Sequence, residues 1–112
     1  MAEKTHFDLS KKRFETKGIN TRLPIEYRFL LWQLIDELGE NMPLDYLQVF
    51  EFKNNGKMCF EGKQLTNQTL IHSQEQPEYT KTYTFPIESP INGKVYVIDD
   101  DSCCTMMWAE EY

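Results

Sequence analysis

The spacing of apolar positions shifts from about two residues to about four and back to two along the chain. Between Arg13 and Thr21, Phe14, Thr16 and Ile19 alternate loosely among charged neighbours. That pattern predicts a strand near a sheet edge, with Gly18 as a bulge or a point of close approach. From Pro24 the period becomes helical. Leu31, Leu34, Ile35 and Leu38 recur on one stripe, Tyr27, Phe29 and Leu30 widen it, and Glu26, Gln33, Glu37 and Glu40 form a narrow polar face. Proline fits a first turn, Glu26 complements the helix dipole, Gly39 suits the residue after the last turn, and Pro43 prevents continuation. The stripe is wider than one sheet contact requires. The helix is therefore expected either to be cradled by a sheet and a C-terminal helix together or to supply part of a dimer interface.

From Leu44 the period returns to two. Tyr46 to Lys53 carries apolar groups on both faces (Leu47 and Val49; Phe50 and Phe52), which predicts a central strand. Asn54-Asn55-Gly56 reads as a hairpin turn, with Lys57 to Glu61 as the return strand and Gly62 to Gln68 as a polar connection. Thr69 to Glu75 and Tyr79 to Phe85 form a second hairpin across Gln76-Pro77-Glu78. In its second arm Tyr79, Tyr83 and Phe85 share one face and Thr80, Thr82 and Thr84 the other. Pro86 to Gly93 reads as a loop, and Lys94 to Ile98 as another central strand. Asp99-Asp100-Asp101-Ser102 can cap a helix, expected over Cys103 to Glu111.

The resulting order is β-α-β-β-β-β-β-α. It predicts an α+β fold: an antiparallel or mixed sheet of five to six strands, one long helix after the first strand, a short C-terminal helix, and helices on one face. A length of 112 residues predicts one domain, with residues 1–12 flexible.

Charge narrows the partners. The net charge is −6, and it is uneven. Lys4, Lys11, Lys12, Arg13, Lys17 and Arg22 outnumber Glu3, Asp8 and Glu15 in residues 1–22, whereas Asp99 to Tyr112 holds five acids and no base. An acidic body repels phosphate, so direct nucleic-acid binding is disfavoured. Residues 1–10 lack the apolar core of a signal peptide, and no apolar run approaches a membrane span. Cys59, Cys103 and Cys104 are odd in number, with two adjacent, a poor disulfide framework. The expected location is the cytoplasm, with reduced thiols and no membrane contact.

Candidate chemistry is sparse. Asp99, Asp101, Cys103 and Glu110 echo the first, third, fifth and twelfth positions of a calcium loop. Cys104 stands where that loop needs glycine, and a thiol is a poor calcium ligand. Three preceding aspartates oppose thiolate formation at Cys103 and Cys104. His72 sits mid-strand between Ile71 and Ser73, and His6 lies in the polar arm; neither is paired in sequence with a nucleophile. Gly18, Gly39, Gly56, Gly62 and Gly93 are scattered, so no phosphate loop exists. No catalytic, cofactor-binding or metal residue is assigned. The candidate interaction surface is Asp99, Asp100, Asp101, Met107, Trp108, Glu110, Glu111 and Tyr112, acidic groups interleaved with adaptable apolar ones; Met106, Met107 and Trp108 at helical spacing are more often core than surface.

Several segments resemble a family of small uncharacterised proteins of staphylococci and related Gram-positive bacteria. They are Lys17-Gly18-Ile19, Phe29-Leu30-Leu31-Trp32-Gln33-Leu34-Ile35-Asp36, Asp45-Tyr46-Leu47-Gln48-Val49-Phe50, His72-Ser73-Gln74-Glu75-Gln76-Pro77, Gly93-Lys94-Val95-Tyr96-Val97-Ile98-Asp99-Asp100 and Thr105-Met106-Met107-Trp108-Ala109-Glu110-Glu111-Tyr112. The resemblance runs from about Lys17 to the C-terminus. Such proteins are often carried on phages and cassette chromosome elements, so it implies a cytosolic protein linked to mobile DNA, with no functional residues to carry over.

Three functions from different classes follow. The first is a non-enzymatic accessory factor, monomeric or homodimeric, that binds a protein partner. The second is an acidic DNA mimic that inhibits a host DNA-processing enzyme, which requires carboxylates aligned at near-phosphate spacing on one face. The third is a small enzyme using His72 or a cysteine, which requires a deep pocket joining it to a second polar group.

Overall fold

A computed structural model describes residues 11–100 and 102–112. The elements are β1 (Lys12–Glu15), α1 (Lys17–Arg22), α2 (Ile25–Asn41), β2 (Leu47–Phe60), β3 (Lys63–Gln74), β4 (Tyr79–Ile87), β5 (Gly93–Asp99), β6 (Cys103–Trp108) and a 3-10 turn at Ala109–Glu111. The six strands form one mixed sheet in the order β1-β6-β5-β2-β3-β4. β1 runs parallel to β6 and the other described pairs are antiparallel. The architecture is the expected α+β fold, with β1 at an edge and β2 and β5 central.

The helices lie on one face. Tyr27, Leu31, Leu34, Ile35 and Leu38 of α2 are buried, with Ile19 and Leu23 beside them. Opposite them the sheet presents Phe50, Phe52, Leu70, Val95, Val97, Cys104, Met106 and Trp108, all buried. Trp32 completes the layer on the β1 side. Its Nε1 donates to Glu15 at 3.0 Å, Arg13 lies over its ring, and Arg28 pairs with Glu15 at 3.0 Å. The wide stripe is only partly used: Phe29 is 67% exposed.

Four segments depart from the pattern reading, each for a local reason. First, the strand expected over Arg13 to Thr21 stops at Glu15. Thr16 then caps α1, its Oγ1 accepting from the Ile19 N–H, and Gly18 lies inside that helix. Second, α2 runs past Gly39 to Asn41, because Gly39 keeps helical backbone and Met42-Pro43 ends the turn.

Third, Asn54-Asn55-Gly56 is a bulge. Asn54 pairs with Gln68 and Lys57 with Thr66, so β2 gains one residue and its pairing with β3 resumes beyond the bulge. The reversal falls at Glu61-Gly62, where φ is +50° and +80°. Two positive φ values between paired Phe60 and Lys63 match a two-residue hairpin loop. The tips of β2 and β3 thus extend beyond the reach of β5 and β4 and lengthen the molecule to 56 Å.

Fourth, Cys103 to Trp108 is strand β6, and only Ala109–Glu111 is helical, as a 3-10 turn. Asp100 does cap the free N–H groups of Ser102 and Cys103, but it closes a β-turn where a helix start was expected.

Candidate interaction surface

Strand geometry divides the described C-terminal candidates between two faces. Asp99 ends β5 and receives the Lys11 amine at 2.8 Å. Asp100 accepts from the Cys103 and Ser102 amides, which holds its carboxyl below the usual range. Asp101 lies outside the described residues. Trp108 turns inward, 3% exposed. Its Nε1 donates to the Gly18 carbonyl at 3.0 Å and Arg22 stacks on its ring. Glu110 pairs with Arg22. Glu111 accepts from Thr16 Oγ1 and from the Trp108 amide, both at 2.8 Å. These three residues therefore fasten α1 to the sheet. Met107 points the other way, and Tyr112, 79% exposed, lays its ring against Tyr96 on Met107's neighbouring strand.

That other face has no helix over it among the described residues. Its rows can be read from the register, because cross-strand partners share a face. One row runs Phe14–Thr105–Ile98–Leu47 and the next Met107–Tyr96–Val49. Phe14 is 51% exposed and the rest are half-buried. The rows therefore form an apolar patch across β1, β6, β5 and β2. Lys94, Glu51, Ser73 and Thr80 follow in the direction of β3 and β4, so the patch gives way to polar surface.

A second apolar feature is concave. α2 covers the middle of its face and leaves the β4 side chains half-buried. One cleft of about 490 Å³ lies between Tyr27 and Leu30 of α2 and Phe85 and Ile87 of β4. Another of about 350 Å³ lies between Leu34 and Leu38 and Tyr79 and Tyr83. The Tyr27 ring meets Phe52 edge-on, and burial raises its pKa to about 12. Among the described residues its hydroxyl has no hydrogen-bond partner.

His72 is buried at 1% exposure. Its ring stacks on Phe50 and meets Tyr79 edge-on. Gln48 commits its amide N–H groups to the Asp45 carbonyl and Gln74 Oε1. Its Oε1 therefore accepts from His72 Nε2, at 2.8 Å, which places a proton on Nε2, and Nδ1 has no hydrogen-bond partner among the described residues. Burial lowers the pKa to about 4. The neighbours of His72 are thus amide and aromatic groups, and neither cleft above is lined by it or by a cysteine. Cys59 is exposed on the hairpin tip, Cys103 half-buried on the open face and Cys104 buried. Among the described residues no three His, Cys, Asp or Glu side chains gather as a metal site.

A family model for a staphylococcal protein of unknown function, DUF960, matches residues 12–111. The chain belongs to this family. The DUF960 match takes in every described strand and both helices, and so both apolar surfaces. A crystal structure of a protein of unknown function from Enterococcus faecalis shares the fold, with a TM-score of 0.73 and 25% identity over 100% of this chain and 98% of that one. No curated protein matches. No helix among the described residues is long and apolar enough to cross a membrane.

The DUF960 patch was half visible in sequence. Leu47, Val49, Tyr96 and Ile98 mark strands that are apolar on both faces, a pattern that implies cover on both. One long helix cannot supply two layers, and that shortage was the available signal that one face stays open.

Proposed function

We propose that this DUF960 protein is a non-enzymatic accessory factor that binds another protein through the open sheet face. The carrying observation is the uncovered patch of Phe14, Leu47, Val49, Tyr96, Ile98 and Met107, with Tyr112 over Tyr96. Its centre is uncharged, which suits an apolar protein face and gives phosphate nothing to hold. The cytoplasmic setting and the link to mobile DNA rest on the family resemblance.

The mimic reading is weaker on the geometry. Its carboxylates would need to stand free in a row, whereas Glu15, Asp36, Glu88, Asp99 and Glu110 lie on different elements and each meets a base. The enzyme reading needs His72 or a cysteine in a deep pocket; His72 is enclosed by Phe50, Tyr79 and Gln48, and neither cleft beside α2 is lined by a cysteine.

The test uses Ile98→Lys, on the patch, rather than a change at buried Trp108. Immobilised protein is incubated with Gram-positive bacterial lysate, and self-association is followed by sedimentation. The reading expects a retained protein that Ile98→Lys releases while the variant still unfolds cooperatively, and a homodimer through this face with no retained protein overturns it. Retention indifferent to Ile98→Lys, or none at micromolar concentration, overturns it.

A further inference from the structure

We infer that the groove between α2 and edge strand β4 binds an extended peptide segment with basic ends, which pairs with β4 as a seventh strand. This site is separate from the open face and stands or falls independently of it.

The backbone supplies the first reason. β4 ends the described sheet opposite β1, and an outermost strand turns alternate N–H and C=O groups outward, unpaired. β1 has four residues, whereas β4 has nine. Pro86 removes a donor near its C-terminal end, which leaves Tyr79 to Phe85 as the usable edge. Added strands gain affinity from such main-chain bonds and specificity from pockets for alternate side chains.

The pockets are present and in line. α2 and β4 run in opposite directions past each other: Tyr27 and Leu30 face Phe85 and Ile87, and Leu34 and Leu38 face Tyr79 and Tyr83. The two clefts are therefore successive parts of one groove. A 17-residue helix spans about 25 Å. Seven extended residues span about 23 Å, so the wall and the free edge match in length. Alternate side chains of an added strand would descend between Leu30, Leu34 and the β4 aromatics. That segment would cover apolar surface α2 leaves half-open.

Charge selects the segment. Glu26 and Glu88 stand at one end of the groove, Glu88 with the exposed Lys63 amine 3.7 Å away, and Glu37 stands at the other, in the same cleft as Lys81. Lys81 lies over the Tyr83 ring at 5.2 Å, toward the middle. Acidic ends fit a strand with a basic residue at each terminus. They disfavour β4 of a second copy, which would bring Glu26 and Glu88 against a second acidic groove.

The probe is a nine-residue peptide of alternating valine and threonine with lysine at both ends, titrated into the full chain at low salt and followed by backbone amide shifts. A control peptide carries glutamate at both ends. Expected are saturable shifts confined to β4 and α2, slowed exchange of the β4 edge amides, and binding about tenfold tighter for the lysine peptide. Combined Glu26→Lys, Glu37→Lys and Glu88→Lys, all at exposed positions, should reverse the preference. Leu30→Lys should abolish binding of both. Shifts on the open face, no saturation by about 1 mM peptide, a preference unaffected by charge reversal, or dimerisation through β4 without peptide would each overturn the assignment.

Discussion

The imidazole of His72 and the amide of Gln48 are locked in one arrangement: Nε2–H donates to Oε1 at 2.8 Å, and Gln48 passes the chain on to Gln74 at 2.7 Å. Gln74 in turn holds the Asp45 amide and the Pro43 and Pro77 carbonyls. Asp45 accepts from the amides of Glu75 and Gln76. The β3–β4 turn is thus tied to the α2–β2 connection through buried polar groups, with one histidine at its end.

Protonating that histidine must cost stability. The unfolded chain takes the proton near pH 6.5, and the folded chain resists it until about pH 4. Between those values the unfolded state binds more protons, so stability falls as pH drops through the window. The loss reaches about 3 kcal/mol at pH 4 from this group alone. Urea midpoints at pH 7, 5.5 and 4 should show it, and His72→Gln should flatten the pH 5.5 to 7 limb. An unchanged slope in that variant would remove His72 as the cause.

Neighbouring residues on β5 should lose very different amounts of stability on the same change. Val97 is fully buried beneath α2, whereas Ile98 belongs to the open face. Val97→Lys strands a charge in the core and should cost more than about 4 kcal/mol or prevent folding. Ile98→Lys leaves its amine in water and should cost about 1 kcal/mol. Thermal unfolding of the pair distinguishes a one-sided sheet from a sheet covered on both faces.

The same alternation explains what was legible in sequence. β4 was read correctly because Tyr79, Tyr83 and Phe85 alternate with threonines, so polarity marks the face. β6 was not, because Cys103, Thr105 and Met107 on the open side are nearly as apolar as Cys104, Met106 and Trp108 on the buried side. Without contrast between faces the period is invisible, and the aspartates before it supplied a capping signal that turns and helices share. Asn54-Asn55-Gly56 failed for a related reason: positive φ at Gly56 serves a bulge as well as a turn. Only pairing with Gln68 and Thr66, distant in sequence, decides between them. Of the candidate surface, composition showed the apolar residues near the C-terminus, but which side each faced depended on that misread period.

Two glycines near Trp108 and Glu111 should differ sharply. Gly93 has φ +144°, and a Cβ there would sit 2.9 Å from the Trp108 ring, which is buried and pinned by its bond to Gly18. Gly93→Ala combines backbone strain with a clash and should cost about 2–4 kcal/mol. Gly18 is helical, and the nearest atoms to its added Cβ would be those of the Glu111 carboxylate, at 2.7 Å, at the end of a side chain held by Thr16 and the Trp108 amide. Alanine gains up to about 1 kcal/mol in a helix, offset by displacing Glu111 from Thr16 and the Trp108 amide. Gly18→Ala should therefore be nearly neutral, and in a Glu111→Ala background it should stabilise by about 0.5–1 kcal/mol. A double-mutant cycle by urea denaturation measures both.

The three thiols offer a direct check on strand polarity at the C-terminus. Adjacent residues of a strand face opposite ways, so Cys103 and Cys104 cannot share an environment. Cys104 is fully buried beside Met106 and Trp108, Cys103 is half-buried on the open face, and Cys59 is exposed on the hairpin tip. A maleimide reagent should modify Cys59 first and Cys103 more slowly. Cys104 should react only at the rate at which the native structure opens, at least about a hundredfold slower than Cys59. Mass spectrometry of timed samples resolves the three sites. Were Cys103 to Glu111 helical, both neighbours would sit in the same turn and the separation between them would shrink, so comparable rates at Cys103 and Cys104 would refute the strand.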